Sequence, residues 1–486
     1  MYLNIIKSKK KILKMGKNSL FKYVNKSFNS YLLPNLMNFV RIPNTSTEFD
    51  PDWKENGLLL KACNSVINYA KSLNIKGAEI TLLQDEGHTP FILIDIPSTR
   101  QNDTRSILLY GHVDKQPEGV GWDKDKSATK PVIENGRLYG RGTADDGYAS
   151  FSVLTAIKCC QDHDCLLPRI ICIFESNEES SEEDLHHYFE KLMPFFGDNI
   201  SLFCCIDLGC LDYDRMWVVN CIRGVVDFDV EITTLNSDYD SNYIKGVIPD
   251  NFTILRKLID MIRDENGNFL IPELVLSEDD IPKERLTELK QAADKLGNDF
   301  IKQIPLYEKT QPMETEIYKL LFNNIWKVSM ILKGVDGIPD NKNEGNIMTK
   351  SVTAKLQLRL PPLINGEEAM KKIIEKLTKN TPFNAKVEVK IAGSVSDGWN
   401  GKGFSDRTKN IFNYASQIGF GNGFANKFGG GSVPFIRYFE NKYPNTDIAN
   451  IGLLGYECNE HGPNESLNLE ACKKFIAAMA ILLSEF

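Results

Sequence analysis

The stretch "RIICIFESNEE" (169–179) decides how this chain folds. Ile170, Ile171, Cys172, Ile173 and Phe174 form an unbroken apolar run, and β-branched residues dominate it. A short run of this kind, with no polar alternation, predicts a strand buried on both faces, as in a parallel sheet. The run then breaks into acid: "ESNEESSEEDL" (175–185) carries six carboxylates. Most acidic runs are solvated loops or helix starts, so this stretch alone leaves open whether any of its glutamates does chemistry.

Its neighbours repeat the pattern. "SILLYGHVD" (106–114) and "SLFCCIDLG" (201–209) are also apolar runs that end in polar residues. "GYASFSVLTAIKCC" (147–160) and "DLHHYFEKLMPFF" (184–196) have helical spacing of apolar groups between them. Buried strands alternating with helices predict an α/β fold, a mostly parallel sheet with helices on both faces. In such folds functional groups gather at the carboxyl ends of strands. Those ends deliver His112 and Asp114, then Glu178 and Glu179, then Asp207.

The texture changes near residue 223. "VVDFDVEITTL" (225–235) alternates apolar and polar residues, the pattern of a strand with one wet face. "NFTILRKLIDMIRD" (251–264) and "GEEAMKKIIEKLTK" (366–379) read as helices, and "TAKLQLRLPP" (353–362) and "AKVEVKIAG" (385–393) as strands. These predict an α+β domain inserted into the α/β domain. The expected division is a basic N-terminal extension at 1–30, α/β at 31–222, the α+β insertion at 223–397 and α/β again at 398–486.

Composition sets bounds. With 486 residues the chain is too long for one core. It is 42% hydrophobic and 25% charged, which argues against disorder and fibrous classes. A net charge of −8 argues against a nucleic-acid partner, and no apolar run approaches membrane-spanning length. The basic start "MYLNIIKSKKKILKMGKNSLFKYV" lacks a clean apolar core and a small-residue cleavage site, so no secretory signal is expected. A transit-like targeting segment, or a start at Met15, is the alternative. The eleven scattered cysteines contain no C-x-x-C and are expected as buried free thiols in a reducing compartment, which points to the cytoplasm.

Taken singly, the polar residues are unremarkable chemistry. His-x-Asp is a weak signal, "GRGTADDG" (140–147) could be a glycine-rich turn, and Asp207 could cap a helix. Together, His112, Asp114, Asp145, Glu178, Glu179, Asp207 and the distant His461 offer two imidazoles and several carboxylates. That set suits a pair of divalent cations such as zinc, with a carboxylate shared between them. A further carboxylate, not itself a ligand, could move a proton from water to a leaving amine.

The strings "LLYGHVDKQPEGVGW", "GRLYGRGTADDGYA", "FESNEESSEEDL", "CIDLGC" and "CNEHGPNESL" resemble the M20 family of metallopeptidases, most closely its carnosine-dipeptidase-like and general dipeptidase branches. The resemblance covers nearly the whole chain beyond about residue 30. It implies a metal-dependent hydrolase of dipeptides or short N-acyl amino acids, with an inserted lid and dimerisation domain and a homodimer. It implies two metal ions, zinc first and manganese or cobalt as alternatives. His112, Asp145 and Asp207 would hold one. Asp145, Glu179 and His461 would hold the other, with a cis peptide after Asp145. Asp114 would orient His112, and Glu178 would be the general base. Arg359, Asn346 and the loop "GGGSVP" (429–434), with Gly431 and Ser432, would bind substrate.

One departure stands out. The family's inserted domain carries a histidine in a His-Ser-Gly motif, which stabilises the oxyanion. Here "SDYDSNYIKGVIPDNF" (237–252) has Asp240 at that place. The only histidines are 88, 112, 163, 186, 187 and 461, so the insertion has none. An ionised aspartate repels an oxyanion, and loss of one such donor costs about 10²–10³ in rate. The alternative expectation is therefore a catalytically weakened or inactive homologue that still binds metal and a small ligand.

Overall fold

The computed structural model describes residues 16–302, 304–339, 342, 345–429, 433–455 and 457–486. They form two compact units. One comprises the chain up to Val219, with Lys402–Lys427 and Tyr438–Phe486; the other comprises Asn220–Gly401 with Phe428–Arg437.

The first unit is built on a twisted sheet. Among the described residues, seven of its nine strands are β1 (Glu79–Leu83), β2 (Phe91–Ile96), β3 (Ser106–His112), β4 (Arg169–Glu175), β5 (Ile200–Cys205), β6 (Trp217–Ile222) and β7 (Asp447–Asn450). Their order is β1-β2-β4-β3-β5-β7-β6. The four central strands, β4, β3, β5 and β7, run parallel. The flanking pairings are antiparallel. The α/β reading of the sequence thus holds, with antiparallel margins added to a parallel centre.

Both faces of the centre are covered, which is why its strands are apolar without alternation. Ile107 and Leu109 of β3 and Leu202 and Cys204 of β5 join a core built with the helices α3 (Gly147–Asp162) and α6 (Leu469–Glu485). The intervening Phe203 faces the other way and stacks on Phe439 at 4.2 Å between ring centroids. Phe189, on the helix α4 (Glu183–Phe196), packs edge-on against Phe439 at 5.7 Å.

The segment set aside from sequence as a basic extension is described from residue 16 onward, and there it joins this core. Its helix α1 (Lys17–Ser27) buries Leu20 and Val24, and Phe28 follows them at the same spacing. This i, i+4 series makes one apolar face, while Lys17, Lys22 and Lys26 stay exposed.

The second unit is α+β. Four antiparallel strands lie in the order Ser329–Asp336, Ser351–Leu360, Gly224–Thr233, Lys386–Ser396. Val226, Phe228, Val230 and Ile232 alternate inward to a core shared with the helices Asn251–Ile262 and Gly366–Thr378. Residues 428–437, placed by sequence with the final α/β stretch, go with this unit instead. Phe428 packs edge-on to Trp326 at 6.3 Å, and Arg437 pairs with Asp397 at 2.6 Å. Among the described residues no helix is long and apolar enough to cross a membrane. All eleven cysteines are free, and all but Cys165 are buried.

Candidate metal centre

Parallel pairing sets the site. His112 closes β3 and is in register with Glu175, the last residue of β4. The chain leaving β4 then carries Glu178 and Glu179 past the same edge, and the chain leaving β5 carries Asp207. Gly111 is required just before His112. A Cβ there would lie 2.7 Å from Asp146 Oδ2, the oxygen that accepts the His112 backbone N–H at 3.2 Å.

The side chains converge. His112 Nε2 lies 3.1 Å from Asp145 Oδ1 and 3.6 Å from Asp207 Oδ1. His461 Nε2 lies 2.8 Å from Asp145 Oδ2 and 3.3 Å from Glu179 Oε2. Asp145 therefore stands between the two imidazoles, one oxygen to each. Ligand atoms lie within 4.8 Å of one another in three trios: His112–Asp145–Asp207, Asp145–Glu179–His461 and His112–Glu178–Glu179. The Asp145–Asp146 peptide is cis.

Asp114 organises the strand ends. Its Oδ1 is 3.3 Å from His112 Nδ1. Its two carboxylate oxygens accept the backbone N–H groups of Glu178 and Glu179 at 3.2 and 3.0 Å. One fully buried carboxylate thus holds both an imidazole ring and the turn after β4.

Charge is crowded in this site. Burial, then the Asp207 carboxylate, lifts the Glu178 carboxyl well above its ordinary range. Burial, then Asp145, raises Glu179 to about 7. Burial also raises Asp207. Burial opposes ionisation of Asp145, yet hydrogen bonds from His112 and His461 hold it well below the usual carboxylate range. Burial alone would lower His461, but Asp145 and Glu179 outweigh it and raise it to about 11. Carboxylates gathered at this density are relieved by protons, by the neighbouring imidazoles or by bound cations. Glu179 Oε1 is buried with no hydrogen-bond partner among the described residues, as a ligand oxygen would be. The donor set fits divalent cations of the zinc, manganese or cobalt kind.

Several residues of this site were not singled out from sequence. Gln116 donates from Nε2 to Glu179 Oε2 at 2.7 Å. Asp146 backs His112, and Glu465 grips the loop that carries Asp145. Their proximity in sequence to "GHVD", "ADDG" and "EHG" was the available signal. Outside the centre, Asp184 in the first turn of α4 is buried, bonded to His88 Nδ1 at 2.6 Å and accepting from Thr89 Oγ1 at 2.7 Å.

Of the sequence-predicted substrate residues, Arg359 and Asn346 lie in the second unit. Arg359 is half-buried on the strand Ser351–Leu360 and faces Ser329 in register. Arg223 donates to Ser329 Oγ at 2.9 Å, and burial, with Arg359 close by, lowers it to about 10. Asn346 is exposed, and its carbonyl accepts the Ser241 N–H at 2.8 Å. Gly431 and Ser432 lie outside the described residues. Asp240 caps the short helix Ser241–Ile244, accepting the Asn242 N–H at 2.9 Å.

Known proteins resemble this chain in sequence and fold. The model of "Peptidase family M20/M25/M40" matches residues 108–485. A human Beta-Ala-His dipeptidase is 23% identical over 292 residues, 59% of this chain and 56% of that protein, so the match spans little more than half its length. A Cys-Gly metallodipeptidase of Candida albicans is 23% identical over 381 residues, 75% of each chain. The crystal structure of human carnosine dipeptidase 1 superposes with a TM-score of 0.78 at 19% identity, covering 96% of this chain and 98% of that one, a likeness of fold. With a family match that runs from within β3 to the last helix, the chain belongs to peptidase family M20/M25/M40.

Proposed function

We propose that the protein is a dinuclear metal-dependent dipeptidase, hydrolysing the amide bond of dipeptides or short N-acyl amino acids. The carrying observation is Asp145, whose two oxygens lie 3.1 and 2.8 Å from the imidazoles of His112 and His461. A carboxylate in that position suits two cations with separate remaining ligands: His112 and Asp207 for one, Glu179 and His461 for the other. Two divalent cations bound there, zinc in the first instance, supply Lewis-acid chemistry, polarising a carbonyl and bringing the pKa of water towards neutrality.

The protein's own groups do the rest. Asp114 fixes the His112 ring and, through two backbone amides, the turn that carries Glu178. Glu178 Oε2, 4.0 Å from His112 Nε2, takes the proton from water and returns it to the leaving amine. Arg359 binds the substrate carboxylate, a task suited to a planar two-pronged donor. Asn346, Gly431 and Ser432 complete the substrate contacts. The working form is a cytoplasmic homodimer. Free thiols throughout support the compartment. Exposed Ile331 and Leu332 on the edge strand Ser329–Asp336 support pairing.

The test is a dipeptide panel at neutral pH, with and without zinc or manganese, against Glu178→Ala. No turnover above that control removes the assignment. The second reading, a weakened homologue, is favoured by one observation: no histidine exists between 187 and 461, and Asp240 is engaged as a helix cap.

A further inference from the structure

Two loops meet at the metal centre, one carrying Asp145 and the other His461. A pair of buried residues crosses between them. Glu465 is fully buried, on the segment that follows His461. Its Oε1 accepts the backbone N–H groups of Ala144 and Asp145 at 3.0 and 3.1 Å. Its Oε2 accepts the Gly142 N–H at 3.1 Å and the Arg141 guanidinium at 2.8 Å. Arg141, on the Asp145 loop, reaches back: its Nη2 donates to the carbonyl of Gly462, the residue after His461, at 3.1 Å. Its Nε donates to the Pro117 carbonyl at 3.1 Å.

Each member of the ion pair thus holds the backbone of the other's loop. The geometry points to Glu465 and Arg141 as a reciprocal clamp, positioning residues that hold Asp145 against His461 before any metal arrives. The physical need is plain. Asp145, Glu179 and Asp207 repel one another; antiparallel pairing of Ser466–Asn468 with Arg137–Tyr139 joins the far ends of the two loops, and the His461 imidazole bonds Asp145. A carboxylate that accepts three backbone N–H groups and a guanidinium fixes an irregular loop far more firmly than solvent does. Groups that orient ligands in this way are worth 10–100-fold in metal affinity. The clamp rests on the metal-binding part of the dinuclear reading, and its hydrogen-exchange test does not.

The test uses the full-length protein, stripped of metal and titrated with zinc and with cobalt. Glu465→Gln keeps the volume and one acceptor but loses the charge and the second acceptor. Its expected result is a 10–100-fold loss of metal affinity and an altered cobalt absorption spectrum, with unfolding temperature within a few degrees of wild type. Arg141→Lys should lose less, and the double variant no more than Glu465→Gln alone, because the two act as one unit. Wild-type affinity and spectrum in a folded Glu465→Gln protein overturn the clamp. Should the variant not fold, hydrogen exchange on the metal-free wild type decides. The amides of Gly142, Ala144 and Asp145 should exchange as slowly as those in the middle of α3, and fast exchange overturns the proposal. If metal binding depends on Glu465 while no dipeptide is cleaved, the clamp stands and the peptidase assignment falls.

Discussion

Asp145 Oδ2 lies 2.8 Å from His461 Nε2, while the other oxygen of the same carboxylate lies 3.1 Å from His112 Nε2. One side chain thereby joins an imidazole from the first third of the chain to one near its end. The expected consequences of this arrangement differ sharply between neighbouring residues.

Glu178 and Glu179 are adjacent, yet should fail differently. Glu178→Gln should lower kcat by at least 10²–10⁴-fold and leave the metal content unchanged. Glu179→Gln should lose metal, most severely at the site shared with His461. Metal analysis beside steady-state kinetics separates the two.

Asp114 touches His112 and two backbone amides but is placed to touch no substrate. Asp114→Asn should reduce metal affinity about 10–100-fold. Calorimetric titration of the metal-free protein measures this directly.

Stability of the metal-free protein should fall as pH rises from about 4.5 to 7. Glu179 has its folded-state pKa raised to about 7, and Glu178 is raised as well. The folded state therefore holds more protons than the unfolded chain across this window, so raising the pH favours unfolding. Denaturant midpoints against pH should show this decline in metal-free protein, a shallower one in Glu179→Gln, and a much reduced one when zinc is present.

Arg359→Lys should raise KM about 10-fold with little change in kcat, because a lysine cannot reproduce a two-pronged grip on a carboxylate. Dipeptides with an amidated C-terminus should lose the difference between wild type and variant. An equal effect on amidated and free substrates would remove Arg359 from that role.

Asp240→Ala should cost about 1 kcal/mol of local helix stability through loss of the cap, with kcat/KM little altered. Asp240→His is the discriminating variant. A gain of about 10² or more in kcat would identify the natural protein as weakened at the oxyanion step.

The sequence by itself pointed to the sheet and to most of the candidate ligands. Short β-branched apolar runs without alternation, such as Ile170–Phe174, read as strands covered on both faces, and parallel pairing sends their carboxyl ends to one edge. His112, Glu178, Glu179 and Asp207 are therefore neighbours by strand direction alone. Tertiary structure decided what strand periodicity does not encode. The loops carrying Asp145 and His461 are irregular, so no repeat in the sequence sets their distance. That distance is set by tertiary contacts, the pairing of Ser466–Asn468 with Arg137–Tyr139 and the side-chain-to-backbone bonds of Glu465 and Arg141. The same holds for α1, whose lysines suggested a loose extension until Leu20, Val24 and Phe28 met the core. Composition reports how polar a segment is, whereas burial depends on which of its faces finds a partner.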